Sequence, residues 1–415
     1  MSKLSEMIAR LCPNGVEYKK LGEIGEFYSG LSGKAKDDFK DGNAKFITYM
    51  NVYSNPALKI DVADRVKIGK GEKQNLVKYG DVLFTGSSET PDECGMTAVL
   101  TQQTNEALYL NSFCFGYRLY DKAQFLPDFL KHLFRSSELR AQIKRTASGV
   151  TRFNVSKTKM AKVSIPLPPL PVQREIVQIL DNFANLTAEL TAELAKRKKQ
   201  YEHYRRELFT GSVGKKYLLE NLCSVITDGS HFSPKSSEEG YDMPSVKDMT
   251  ANGFDYSECK KISRSDYELL VRNGCQPQVG DVLIAKDGAL MLKHAFPFDG
   301  QREIVLLSSI ALLRPRQEII LPKFLAYYFR RNEFKEEVIR KFSTKGGVPR
   351  IILKNFKKVE LLVPPLAEQE RIVAILDRFD SLCNSLTEGL PAEIALRKKQ
   401  YEYYRDKLLS FKEAS

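Results

Sequence analysis

Histidine and cysteine are scarce and scattered. The four histidines stand at 132, 203, 231 and 294, and the seven cysteines include no Cys-x-x-Cys pair. An odd cysteine count with this spacing argues against a disulfide frame and a zinc cluster, and fits reduced thiols. Long apolar runs are also missing. The longest, Ile304 to Leu313, is too short to cross a bilayer and contains Ser308 and Ser309. Residues Met1 to Glu6 lack the continuous apolar core of a signal peptide, so a cytoplasmic protein is expected. There is no G-x-x-x-x-G-K-[ST] loop, which argues against ATP use by this chain. A Gly-rich cofactor loop and an Asn/Asp-Pro-Pro-aromatic tetrapeptide, marks of a methyltransferase, are absent as well.

What remains is 415 residues of ordinary globular composition, 42% hydrophobic, long enough for two or three cores. The formal charge is +12. That balance suits either a Lys-rich soluble surface or a polyanion ligand, because clustered Lys and Arg gain affinity by releasing phosphate counterions.

The most informative feature is a duplication. Pro168-Pro169-Leu170, Gln173, Ile176-Val177, Ile179-Leu180-Asp181 and Phe183 recur as Pro364-Pro365-Leu366, Gln369, Ile372-Val373, Ile375-Leu376-Asp377 and Phe379. Arg197-Lys198-Lys199-Gln200-Tyr201-Glu202 with Tyr204-Arg205 recurs as Arg397-Lys398-Lys399-Gln400-Tyr401-Glu402 with Tyr404-Arg405. A period near 200 is too long for a solenoid unit and implies a duplicated half-molecule.

The halves share a mixed segment before each block. Tyr79-Gly80-Asp81-Val82-Leu83-Phe84 matches Val279-Gly280-Asp281-Val282-Leu283-Ile284, and Leu126-Pro127 matches Leu321-Pro322. Gly149-Val150-Thr151-Arg152 matches Gly347-Val348-Pro349-Arg350. Strands are expected over 44–49 and 81–85, a short helix over 2–11 and one helix over 127–143. The loops after the matched strands diverge, Gly86-Ser87-Ser88-Glu89 against Ala285-Lys286-Asp287-Gly288. One scaffold therefore presents two different tips.

From 171 to 209 the pattern is helical without interruption. Ile176, Leu180, Phe183, Leu190, Leu194 and Tyr201 form an apolar stripe, and Ile372, Leu376, Phe379, Leu386, Ile394 and Tyr401 form its counterpart. Roughly forty residues make a rod of about 60 Å, and so narrow a stripe needs a partner helix. Asp181 aligns with Asp377 at a shift of 196, but Arg197 with Arg397 at 200, so the second helix carries four extra residues around Gly389-Leu390-Pro391. A kink or break is expected near 389–391.

These blocks, together with the opening Leu11-Cys12-Pro13-Asn14-Gly15-Val16-Glu17-Tyr18, closely resemble the specificity (S, or HsdS) subunit of Type I restriction-modification systems. The resemblance covers essentially the whole chain. It implies an α+β fold with two similar target-recognition domains joined by two long helices packed as an antiparallel coiled coil. The divisions would be an N-terminal arm at 1–17, domains at 18–167 and 213–363, a central helix at 168–212 and a C-terminal helix at 364–415. The family implies a subunit with no catalytic centre in a DNA adenine methyltransferase/endonuclease complex, reading a bipartite double-stranded DNA site with one half-site per domain. It would dock two modification subunits, and restriction subunits through that core. No cofactor is expected on this chain. S-adenosylmethionine would sit on the modification subunit, and ATP and Mg on the restriction subunit.

Candidate DNA-binding residues follow from loop chemistry. Gly149, Thr151 and Arg152, with Gly346, Gly347 and Arg350, combine flexible backbone with an Arg able to fork onto guanine or a phosphate. Ser87, Ser88, Lys286 and Asp287 lie on the divergent tips and are candidates for base contacts. Lys34 and Lys36, and Ser230, His231 and Lys235, suit phosphate contacts; each also fits as an ordinary loop residue. Two other functions compete. One is a coiled-coil scaffold or adaptor without DNA specificity. The other is a stand-alone nuclease built on Asp242 or Asp248 ahead of Glu258-Cys259-Lys260.

Overall fold

The computed structural model describes residues 3–344, 348–385 and 388–414. Its principal helices are α1 (Lys3–Leu11), α2 (Pro127–Leu133), α3 (Ser137–Thr146), α4 (Leu170–Thr210), α5 (Pro322–Phe329), α6 (Asn332–Phe342), α7 (Leu366–Asn384) and α8 (Gly389–Leu409). The strands that matter here are β1 (Gly25–Ser29), β2 (Val82–Thr85), β3 (Ser87–Ser88), β4 (Thr97–Val99), β5 (Cys114–Leu119), β6 (Phe153–Val155), β7 (Cys223–Asp228), β8 (Val282–Ala285), β9 (Ala295–Pro297) and β10 (Ile310–Pro315).

The chain divides into two compact units. Residues 1–191 with 393–415 make the first, and 192–392 make the second. In the first unit an antiparallel sheet runs β1-β5-β2-β4, with Val82 opposite Tyr117. The second repeats it as β7-β10-β8-β9, with Val282 opposite Leu313. Both central strands are buried on two faces, and the alternation of side chains explains their unbroken apolar letters. Val82 and Phe84 join a core with Phe129, Leu133, Ile176 and Leu180, while Leu83 joins another with Ile47 and Val52. In the second unit Val282 and Ile284 lie in a core with Phe324, Ile372 and Leu376, and Leu283 lies with Phe296 and Leu312.

The repeated letters before and within these strands have structural causes. Asp81 is fully buried and takes two hydrogen bonds from Arg118, Nε at 2.9 Å and Nη2 at 2.6 Å, across to β5. Asp281 takes the same pair from Arg314 on β10, both at 2.8 Å. Each Asp also caps its own turn, accepting from the Lys78 and Gln278 amides. The preceding Gly80 and Gly280 hold φ near +86° and +87°, the left-handed region that glycine enters without strain.

The Pro-Pro-Leu-x-x-Gln block splices each long helix to its sheet. Gln173 is completely buried; its Oε1 accepts from the Leu126 amide at 2.9 Å, and its Nε2 donates to the carbonyls of Gln124 and Pro168. Gln369 repeats this with the Leu321 amide and the carbonyls of Ile319 and Pro364. One side chain thus satisfies two backbone groups at the entry to a shorter helix, α2 or α5, and a third at the entry to its own long helix.

Three expectations need revision or placement. The single helix over 127–143 is two helices, because the chain turns at Phe134–Ser136 and the Ser136 hydroxyl caps α3 by accepting from the Leu139 amide. In the C-terminal helix, α7 stops at Asn384 and α8 starts at Gly389, which places Pro391 in a first turn where its missing N–H costs little. Several stripe residues also reach cores that include sheet strands: Ile176 and Leu180 in the first unit, in a cluster shared with Leu409 of α8, and Ile372 and Leu376 in the second, in a cluster shared with Tyr201 of α4.

Aromatic pairs join the long helices within each unit. In the first unit Phe183 of α4 stacks on Tyr404 of α8 with centroids 5.1 Å apart. In the second, Tyr201 and Tyr204 of α4 pack on Phe379 of α7 at 5.9 and 5.6 Å. Early residues of α4 meet late residues of α8, and late residues of α4 meet α7, the contact order of antiparallel pairing. Leu190 and Leu194 are half-buried, Ile394 is buried, and Leu386 lies outside the described residues.

Candidate nucleic-acid interface

In each unit the loops that follow the sheet strands converge at one end of the sheet. In the first unit β3 pairs with β6, Ser87 opposite Asn154 and Ser88 opposite Phe153, which brings the divergent tip against the Gly149–Arg152 turn. The turn is tight. Gly149 holds φ near +151°, and a Cβ there would lie 2.0 Å from the Arg152 carbonyl oxygen. Arg152 is exposed, yet its Nε and Nη2 both donate to Ser87 Oγ, at 3.2 and 3.0 Å. Its guanidinium lies over the Phe113 ring, 5.5 Å from the centroid. Val150 projects into solvent with 92% of its surface exposed, and Thr151 is exposed beside it.

Ser87, Ser88, Thr151 and Arg152 line a groove of about 550 Å³ with Tyr49 and Phe113. Carboxylates line it too. Glu93 accepts from Tyr53 OH at 2.7 Å and from Ser88 Oγ at 3.2 Å, hydrogen bonds that hold its carboxyl below the usual range. Glu89 is exposed at the rim.

The second unit puts different chemistry on the same frame. Asp287 bridges Arg350 through the backbone, and the Gly288 and Ile351 amides donate to the carbonyls of Pro349 and Lys286. Lys286 is buried, with Nζ 3.3 Å from Asp228 and 3.4 Å from Asp287. Ser230 is buried and closes a local turn, its hydroxyl donating to the Phe232 carbonyl at 2.6 Å. His231 is exposed, 3.4 Å from Asp228, and Lys235 is exposed further along the loop. Arg350 is exposed; Gly346 and Gly347 lie outside the described residues.

Neither Lys34 nor Lys36 lines the groove of the first unit. Lys34 is largely buried against Glu72 at 2.6 Å and also donates to the Lys67 carbonyl, so its charge is already compensated. Hydrogen bonds from Lys34, Gln74 and the Gly69 amide bring the Glu72 carboxyl down to about 2. Lys36 opens a short 3-10 turn and is exposed. Two neighbouring side chains are not evident as candidates from sequence. Phe113 is 57% exposed on the turn before β5, where a large aromatic in a polar loop is the one available signal. Lys157, just after β6, donates to Ser29 Oγ at 2.9 Å and lies over the Phe115 ring.

The nuclease candidates are occupied structurally. Asp242 pairs with Arg302 at 3.0 Å and Lys261 at 3.4 Å, while Asp248 caps a turn by accepting from Ser245. No cluster of three His, Cys, Asp or Glu able to hold a metal occurs among the described residues.

Comparison with known proteins agrees with this duplicated architecture. The family model "Type I restriction modification DNA specificity domain" matches residues 13–197 and again 215–396. The Type I restriction enzyme EcoR124I/EcoR124II specificity subunit of Escherichia coli is 35% identical over 283 residues, 62% of this chain and 65% of that protein. The aligned part thus spans slightly under two thirds of that relative. A chain from a solved structure of complex assembly in a type I R-M system superposes with a TM-score of 0.63 at 20% identity, covering 96% of this chain and 98% of that one. The HsdS subunit from Thermoanaerobacter tengcongensis gives 0.52 at 20% identity over 96% and 97%. At these identities the structures speak for the fold alone. The two family matches cover most of the sequence, and the chain belongs to the Type I restriction-modification DNA specificity family, as a non-catalytic specificity subunit carrying its domain twice.

Proposed function

We propose that each unit reads one half of an asymmetric, bipartite duplex, and that the chain docks two modification subunits carrying S-adenosylmethionine and, through them, restriction subunits using ATP and Mg. The observation that carries this reading is the pairing of a common frame with unlike tips. The Asp81–Arg118 and Asp281–Arg314 pairs and the Gln173 and Gln369 splices are superimposable in kind. At the sheet ends, by contrast, one unit offers Ser87 and Arg152, the other Lys286 between two carboxylates, with Arg350. Identical tips would call for matched half-sites; unlike tips call for different ones.

The test is sequencing of methylated bases in a host expressing this chain with its modification subunit. A motif of two different short halves around an unspecified spacer is expected. A single uninterrupted motif, or a palindrome, would overturn the reading. Binding of the assembled complex to duplex DNA should also weaken steeply with salt, as phosphate neutralisation demands.

A further inference from the structure

We infer that Arg152 reads the guanine of a G·C pair in the half-site of the first unit, with Ser87 and Phe113 as its positioning residues. This rests on the reading that each unit contacts one half-site.

The geometry of the guanidinium supplies the argument. An arginine has two edges that can bind in a bidentate way: the side edge formed by Nε and Nη2, and the end edge formed by Nη1 and Nη2. In Arg152 the side edge is taken by a single acceptor, Ser87 Oγ, at 3.2 and 3.0 Å. The end edge is left for a ligand. The plane is further restrained by the Phe113 ring, 5.5 Å beneath the guanidinium carbon. A fork held on one edge and one face loses little freedom when its other edge binds.

The surroundings distinguish a base from a phosphate. Glu89 and Glu93 line the same groove, and carboxylates there repel a phosphate but can accept a hydrogen bond from the N4 amino group of the paired cytosine. The base edge that offers two adjacent acceptors to such a fork is guanine O6 and N7 in the major groove. Ser87 itself is buried, so it acts through Arg152 and does not reach the base.

The inference goes to one position of the target, which makes it separable from the function it rests on. The complex of this chain with its modification subunit would be challenged with a pool of duplexes randomised at each motif position, comparing the native chain with Arg152→Ala, Arg152→Gln and Ser87→Ala. The Arg152 variants should lose discrimination at one G·C position of one half-site by roughly tenfold or more, with the other half-site unchanged. Ser87→Ala should relax the same position less. An unchanged preference in both Arg152 variants, or equal weakening on every sequence as a phosphate contact would give, overturns the assignment of Arg152 and leaves the bipartite reading standing. A native complex that selects no two-part motif overturns the underlying reading instead. Arg152 is exposed, so unaltered thermal melting is expected and serves as the check that the variants fold.

Discussion

His132 Nε2 lies 2.8 Å from Asp181 Oδ1, linking α2 to α4 inside the first unit. A carboxylate only accepts, so Nε2 carries the proton and Nδ1 accepts from Tyr401 OH at 2.8 Å. The second unit replaces the imidazole with Tyr327, whose hydroxyl donates to Asp377 at 2.7 Å. A phenol has no second polar atom to offer, and the hydroxyl of Tyr201, the counterpart of Tyr401, is buried without a hydrogen-bond partner among the described residues.

This relay predicts acid sensitivity. Burial pushes the His132 imidazole below its ordinary value against the pull of Asp181. The folded group therefore resists a proton that the unfolded one accepts. Its contribution is full above about pH 6.5 and declines as pH falls below that value. Calorimetry between pH 7.5 and 5.5 should show a falling melting temperature, and His132→Tyr should reduce that fall. The share from His294, also shifted down, chiefly by burial, would remain. An identical fall in the variant would remove His132 as its source.

Replacing Gln173 by Ala should be unusually costly for a polar residue. The change leaves the Leu126 amide and the Gln124 and Pro168 carbonyls without their partner in a fully buried site. A loss of about 3 kcal/mol is expected from urea unfolding, with Gln369→Ala similar in the second unit.

Asp81→Ala removes the acceptor of a buried pair and leaves the Arg118 charge uncompensated. Urea titration should show a loss of about 3 kcal/mol, because the orphaned charge outweighs the desolvation that is relieved. Restoring an apolar match with Arg118→Met in the same chain should recover part of it, a coupling that a double-mutant cycle would read.

Arg350→Ala tests the second tip. Selection from randomised duplexes by the assembled complex should change in the half-site opposite to the one altered by Arg152 variants. Change in the same half-site would contradict the assignment of one half-site to each unit.

The seven cysteines should be nearly silent to a thiol reagent in the native chain. All are buried, and burial pushes Cys114, Cys223 and Cys259 up to about 12. Labelling should appear only on unfolding, and a non-reducing gel should match a reducing one.

Much of this architecture was legible because duplication marks what a fold must keep. The letters shared by the halves, Asp81 and Asp281 or Gln173 and Gln369, stand out in the sequence, and each makes contacts its counterpart repeats. Their roles were not legible, since Gln173 serves backbone groups nearly fifty residues away. The Ser136 turn was masked by apolar spacing that continues on both sides of it. Lys34 suited a phosphate contact as well as an ordinary loop role, because its partner, Glu72, is distant in sequence. The stripe on α4 was legible as an apolar face, but periodicity does not give which of its residues also cover a sheet. At the tips, the loop letters made Ser87 and Arg152 candidates, and only coordinates gave the edge-on hydrogen bonds between them.

The first unit closes with the last residues of the chain: the Val16 amide donates to the Lys412 carbonyl at 2.8 Å, the Ala414 amide to the Val16 carbonyl at 2.9 Å, and Leu409 is buried in its core. The second unit is one uninterrupted stretch, 192–392. On the ribosome the usual order of maturation is therefore reversed. The segment translated second is whole first, while the one that emerges earliest is expected to finish folding later, because the core that holds Ile176 and Tyr117 also takes Leu409.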